Sequence, residues 1–219
     1  MATLPFTTLK GDWSQWPVYI LGGGPSLMDF DFSRLFGAGL LVGVNKGAFK
    51  RYAPSLVADC DVMVTLDQHF VRQHRAEIQA FVDEGGEAIL IMPPSENGHR
   101  PVEGATYLYR RRNQGLSDNP ADIYGVNSGY AALNAAYLMG AKEIGLLGFD
   151  MARAADGRTH HHEGYAWHNP DSHRMMDRWA TNFEMARQQL DDAGVHVTNF
   201  VGTPRSKVTA FETAPLSDL

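Results

Sequence analysis

The sequence predicts an α/β fold in which a mostly parallel sheet is flanked by helices. Three observations lead there. Short apolar runs alternate with longer segments of helical character, as in a chain of βαβ units. The first run, Val18-Tyr19-Ile20-Leu21, stops at Gly22-Gly23-Gly24-Pro25, a strand feeding a glycine turn. The 219 residues are 44% hydrophobic and 20% charged, without a repeat or a composition break, which suits a single domain over residues 1–219.

The remaining strands follow in order. Residues 40–44, 61–66 and 88–92 are apolar runs, the last closed by Pro93-Pro94. Residues 106–109 are a weaker candidate, and 144–147 and 195–200 complete the set. Three helices lie between them. Residues 69–84 bring Phe70, Ile78, Phe81 and Val82 to one approximate face and stop at Gly85-Gly86. Residues 128–139 start on Ser128 as N-cap, end at Gly140 and are rich in alanine, so they pack closely on the sheet. Residues 171–193 set Met175, Trp179, Phe183, Ala186 and Leu190 at helical spacing, a stripe that reads as core, and stop at Gly194. Two stretches, 93–124 and 152–170, read as irregular. Loops of that length act as lids or binding loops, or are disordered.

Composition narrows the function classes. A net charge of −6 argues against a general nucleic-acid coat. A single cysteine, Cys60, cannot form an internal disulfide and points to a reducing compartment. No apolar run approaches ~18 residues, and residues 1–10 lack the basic and apolar regions of a signal peptide. The expectation is a cytoplasmic protein without a membrane span. Oligomeric state, a homo-oligomer included, is left open.

Most of the chemistry-bearing residues fall where the strands end. A glycine loop after the first strand sits at the carboxyl edge of the sheet, where α/β folds bind ligands. Gly22, Gly23 and Gly24 let backbone N–H groups approach an anion, Pro25 fixes the turn, and Ser26 can cap it or donate to a phosphate. The pattern is neither G-x-G-x-x-G nor a Walker loop. Asn45 ends the second strand, where its amide can pair with a base or ribose, or cap a turn. Asp67 ends the third, able to hold a metal or a hydroxyl, or to serve the loop. Asn127-Ser128-Gly129 opens the alanine-rich helix, whose N-terminus is an anion site or an ordinary cap. Asp150, in Gly148-Phe149-Asp150, brings a second carboxylate to the same edge.

Nine histidines are the oddest count, five of them between His160 and His173. His160, His161 and His162 precede Glu163, Tyr165, Trp167 and His168 in an irregular, His-rich lid loop. Consecutive loop residues rarely all face one ion, and the spacing matches no zinc motif, so metal binding stays open. His173 falls in the first turn of the last helix. The helix field there disfavours the imidazolium and favours a neutral ring that accepts a proton: a general base, or a surface histidine near a cap. Arg110-Arg111-Arg112 could meet a phosphate or a nucleic-acid backbone, or form a solvated charge run.

Taken together, these motifs resemble those of the bacterial CMP-sialic-acid-dependent sialyltransferases with a single Rossmann-like domain. Residues 18–27 with Asp31-Phe32-Ser33-Arg34-Leu35 look like their N-terminus, with its G-x-G-P-S-L nucleotide loop. Val44-Asn45-Lys46 resembles their second-strand asparagine. Asn127-Ser128-Gly129 with Lys142-Glu143-Ile144 and Gly148-Phe149-Asp150 resembles their S-G and G-x-D segment. His173 stands where that family carries its catalytic histidine, and Asn199-Phe200 with Pro204-Arg205-Ser206 is similar to its closing strand and turn. The same skeleton marks the 6-hydroxymethylpterin diphosphokinase-like family, which includes flagellin glycosylation accessory proteins and phage-type proteins.

The resemblance implies a Rossmann-like transferase of a nucleotide-activated sugar, CMP-type, to a hydroxyl acceptor. Gly22, Gly24, Ser26, Asn45 and Ser128 would hold the nucleotide, and His173 and Asp150 would serve catalysis. One departure stands out. The family brings paired tyrosines to the donor phosphate, whereas residues 152–159 contain none. The phosphate would fall to the histidines, to Arg153 or Arg158, or to a metal near Asp67 and Asp150. Alternatives are Mg²⁺-dependent diphosphoryl transfer through Asp67 and Asp150, a non-catalytic receptor for a nucleotide or modified base, and a DNA-modifying transferase resting on Arg110–Arg112.

Overall fold

The computed structural model describes residues 4–56, 58–93, 100–111, 114–162 and 172–219, with only the backbone of 172 and 173. Nine parallel strands form one sheet in the order β6-β5-β4-β3-β2-β1-β7-β8-β9. They are β1 (Val18–Leu21), β2 (Leu40–Val44), β3 (Val62–Thr65), β4 (Glu87–Met92), β5 (Thr106–Arg111), β6 (Asp122–Tyr124), β7 (Glu143–Leu147), β8 (His196–Val201) and β9 (Glu212–Pro215). The fold is the Rossmann-like α/β architecture that the strand–helix alternation predicts.

The central strands are buried on both faces, as parallel sheets require. Their alternation assigns each side chain to a layer. Val18, Ile20, Val42, Val62, Val64, Ile89 and Ile91 join one core with α3 (Ser128–Leu138) and α5 (Glu184–Asp192). Leu21, Met63, Leu90 and Met92 join the other with α1 (Gln68–Gln73) and α2 (Arg75–Asp83). Helix α3 is buried along most of its length, and Gly140, at φ +80°, ends it in a left-handed turn.

Four readings change. The helix expected over 69–84 breaks at His74 (φ −111°, ψ 22°), whose ring is engaged by the Tyr52 hydroxyl at 3.1 Å. The helix expected over 171–193 divides into α4 (Ser172–Asn182) and α5, because Phe183 tightens the turn with a bond from its N–H to Ala180 O. The segment 93–124 is not irregular throughout, since it contains β6. That short strand is pinned by buried Asn134 of α3, which accepts from the Ser117 and Tyr124 N–H groups and donates to Ser117 O. Strand β9 was not expected either. It is an exposed edge strand ending in Pro215, so it lacks an apolar alternation to read.

The strand order reverses direction between β1 and β7. From β1 the chain builds outward through β2 to β6, then returns to place β7 on the other side. Ligands of such sheets bind outside the carboxyl ends of the strands at this switch point.

Candidate functional site

A cleft of about 1150 Å³ opens at the switch point. Single ligand sites commonly occupy about 300–1,000 Å³, so the cleft is of ligand-binding size. Eight of the residues singled out in the sequence as ligand-binding at the strand and helix ends line it: Gly22, Gly23, Gly24, Asn45, Asp67, Asn127, Ser128 and Gly129. Pro25, Ser26 and Asp150 are not among its lining residues. The side chain of His173 lies outside the described residues, although the residue falls in the first turn of α4 as expected.

The glycine loop plays a different part from an anion nest. The Gly22 N–H donates to Leu147 O and the Gly24 N–H to Gly148 O, each at 2.8 Å. Two of its three donors are therefore used to fasten the β1 loop to the end of β7. A Cβ on Gly22 would lie 2.6 Å from Gly148 O, and one on Gly24 would lie 2.5 Å from the same oxygen. Glycine is needed here for close approach of two backbones. Asp150 completes the clasp from below: Oδ2 accepts the Ser26 N–H at 2.7 Å. The carboxyl is 1% exposed, Oδ1 is buried without a partner, and burial raises its pKa. The Ser26 hydroxyl is buried and unpartnered as well. Ser206 locks the β7 end from the far side, its hydroxyl donating to Phe149 O at 2.6 Å.

Donors for an anion remain at the start of α3. Asn127, not Ser128, is the N-cap, its Oδ1 accepting the Tyr130 N–H at 2.9 Å. The Ser128 hydroxyl instead accepts the Leu66 N–H at 3.2 Å and ties the helix to the end of β3. Among the described residues no hydrogen bond engages the first-turn N–H groups of Ser128 and Gly129, which lie at the positive end of the helix field. Asn45 stands opposite. Its Oδ1 accepts from the Thr65 hydroxyl at 2.6 Å, while Thr65 Oγ1 accepts the Asp67 N–H, so the remaining polar group of this lining residue is its amide NH₂ donor.

Asn45 (φ 53°) and Met151 (φ 49°) are the non-glycine residues with positive φ among the described residues, and both line the cleft. Such strain clusters at ligand sites held by their surroundings. Asp67 caps α1, its Oδ1 accepting from the His69 and Phe70 N–H groups. Among the described residues no three His, Cys, Asp or Glu side chains are grouped to hold a metal ion. With Asp67 engaged by α1 and Asp150 beneath the glycine loop, the described residues do not fit the metal centre that diphosphoryl transfer would need.

The histidine triplet packs onto the glycine loop. The His161 N–H donates to Gly23 O at 3.0 Å, and a Cβ on Gly23 would meet His160 at 2.7 Å and His162 at 3.1 Å. His160 lines the cleft, while His161 lies 5.7 Å from the Phe32 ring with both ring nitrogens buried and unpartnered. Glu163, Tyr165, Trp167 and His168 lie outside the described residues. Burial pushes His160 and His161 down to about 4, so both rings are neutral at pH 7. The unfolded chain takes up protons below 6.5 that the folded chain refuses until about 4. Stability is therefore full above that window and falls through it on acidification, by about 3 kcal/mol per histidine. Urea midpoints at pH 7 and pH 4.5 should show a smaller acid loss in His161→Phe than in wild type. An equal loss would contradict the buried, neutral assignment.

Other expectations are corrected by position. Arg153 and Arg158 do not line the cleft, and Arg158 pairs with Asp156 at 2.6 Å. Arg111 pairs with Asp122 at 3.1 Å, Arg110 is half-buried with its Nε enclosed, and Arg112 lies outside the described residues. Met175 and Trp179 are half-buried cleft residues rather than core, whereas Phe183, Ala186 and Leu190 of the same stripe are core. Sequence reasoning also missed Lys46 and His74 as cleft residues. Lys46 was visible beside Asn45 at a strand end, but nothing in the chain announced its burial.

No protein-family model and no curated protein matches the chain. Solved structures share its fold. The MAf glycosyltransferase from Magnetospirillum magneticum AMB-1 aligns with a TM-score of 0.62 at 14% identity, over 98% of this chain and 36% of its own. The sialyltransferase CstII from Campylobacter jejuni, in complex with the substrate analogue cytidine-5'-monophosphate, aligns with a TM-score of 0.54 at 15% identity, over 93% and 86%. The chain thus has a glycosyltransferase-like fold and spans about a third of the first of these proteins. Among the described residues no helix is long and apolar enough to cross a membrane.

Proposed function

We propose that the protein is a glycosyltransferase that moves a sugar from a nucleotide donor, of CMP type, to an acceptor hydroxyl. The observation that carries this reading is the cleft at the β1–β7 switch point. Leftover N–H donors of Ser128 and Gly129 face it together with the Asn45 amide. An anion at a helix start and a hydrogen-bonding nucleoside opposite is the ligand such a layout accommodates. The shared fold with two glycosyltransferases supports the transfer of a sugar rather than of phosphate.

His173 is the general base in this reading. It removes the proton from the acceptor hydroxyl as that oxygen bonds the anomeric carbon, while the nucleotide leaves with the electron pair of the broken C–O bond. Asp150 acts from behind the glycine loop, holding Ser26 and through it the loop that walls the nucleotide site. Phe149, Met151, Met175 and Trp179 give the opposite wall an apolar surface that keeps water from the reacting carbon.

A thermal-shift screen with CMP, UMP, GMP and AMP and their sugars tests the reading. A ligand that binds only the native state adds RT ln(1 + [L]/Kd), about 1.4 kcal/mol at ten times Kd. At a specific shift of roughly 2–4 °C per kcal/mol for a chain of this size, CMP at ten times its Kd should raise Tm by about 3–6 °C. No shift with any nucleotide would overturn it.

A further inference from the structure

The donor phosphate needs a positive charge, and the arginines expected to supply it lie outside the cleft. Among the described residues that line the cleft, Lys46 is the one lysine or arginine. It sits one residue beyond Asn45 in the turn Asn45–Ala48, which follows β2 at the carboxyl edge. The turn also abuts the glycine loop, because a Cβ on Gly47 would lie 3.6 Å from Gly22 O.

Lys46 is 7% exposed, an unusual degree of burial for a cation. Its Nζ lies 4.9 Å from the centroid of the Tyr52 ring, a cation–π contact that offsets part of its desolvation. Tyr52 is itself held: its hydroxyl reaches His74 Nδ1 at 3.1 Å and Glu77 Oε1 at 3.3 Å, and Glu77 pairs with Arg51. The lysine is thus set on a fixed platform. Asp67, the one Asp or Glu among the described lining residues, is engaged by the N-terminal N–H groups of α1.

We propose that Lys46 is the catalytic countercharge for the donor phosphate, a role that rests on the nucleotide-sugar reading above. As the anomeric C–O bond breaks, its electron pair passes to the phosphate oxygen and the departing nucleotide gains one negative charge. Lys46 stabilises that charge without a proton being transferred to it. The acceptor proton goes to the base, so the step is balanced between sugar, nucleotide and acceptor. An ammonium held beside a developing charge is worth most in such a partly desolvated cleft.

The test is calorimetric titration of CMP against cytidine, with the uridine, guanosine and adenosine pairs in parallel. Wild type should bind the matching nucleotide about tenfold or more tightly than its nucleoside, the scale of a charge-assisted contact. Lys46→Met should lose most of that preference, the α3 N–H groups keeping the rest, while its affinity for the nucleoside is unchanged, which also reports that the site is intact. Lys46→Arg should restore most of it. Should Lys46→Met not fold, Tyr52→Leu removes the platform and should lower the preference severalfold. Retention of the full preference in Lys46→Met, or in Tyr52→Leu where it must stand in, overturns the role of Lys46 and leaves the nucleotide reading standing. Failure of wild type to bind any nucleotide overturns both.

Discussion

Replacing His173 with alanine is expected to lower sugar transfer by about 10²–10⁴-fold, the usual contribution of a positioned base. Nucleotide affinity should change little, because the groups assigned to the nucleotide lie on other elements. Those groups are at the starts of α3 and of the turn after β2, whereas His173 opens α4. The measurement is initial-rate kinetics with the donor that shifts Tm, beside calorimetry on the same sample. Unchanged turnover in His173→Ala would remove the base from the scheme. Equal losses in turnover and in nucleotide affinity would mean that the residue holds the loop rather than the proton.

Gly24→Ala is expected to be the most damaging of the small substitutions in the site. Its φ of −62° suits any residue, so the cost is one of space and not of backbone strain. The new methyl would be driven into the Asp150 carboxylate and would lie 2.5 Å from Gly148 O. Neither obstacle is the loose end of a flexible side chain. Gly148 is held by the Gly24 N–H, and Asp150 is buried and bonded to Ser26 N. Overpacking of this kind costs about 1–3 kcal/mol, which corresponds to a Tm lower by roughly 2–12 °C. Nucleotide binding should fall with it, since the β1 loop must move away from β7. A Gly24→Ala protein with the wild-type Tm would show that the clasp between these loops is not tight.

Much of this was legible in the chain because the signals are local. The run Val18–Leu21 ends at glycines whose need is steric, and the sequence shows both strand and stop. Asn45, Asp67, Asn127–Gly129 and Asp150 were found because they end strands or begin a helix, and parallel topology gathers those ends on one edge. Pairing could not be read in the same way. Which of Asn127 and Ser128 caps α3 depends on the Leu66 N–H arriving from β3, a residue 62 positions away. The glycine N–H groups looked available to an anion until β7 was placed beside β1 and took two of them. Strand β6 depends on Asn134 reaching back from α3, and β9 on an edge left open by β8. The spacing of Met175 and Trp179 showed an apolar face but not that the cleft lies against it.

The histidines divide in the same way. His160–His162 pack on Gly23, and the neutrality of His160 and His161 follows from burial. Lys46 then stands as the one lysine or arginine among the described lining residues, and His173 as the residue assigned to move a proton.

The central claim is that a nucleotide occupies the cleft between the ends of β1 and β7. Amide chemical-shift mapping during titration with CMP tests it most directly. Saturable shifts should concentrate at Gly23, Asn45, Lys46 and Ser128–Gly129, with smaller ones at Gly22 and Gly24. Shifts confined to another surface, such as the Arg110–Arg111 end of β5, or no saturable shift at millimolar CMP or any of the other nucleotides, would contradict it.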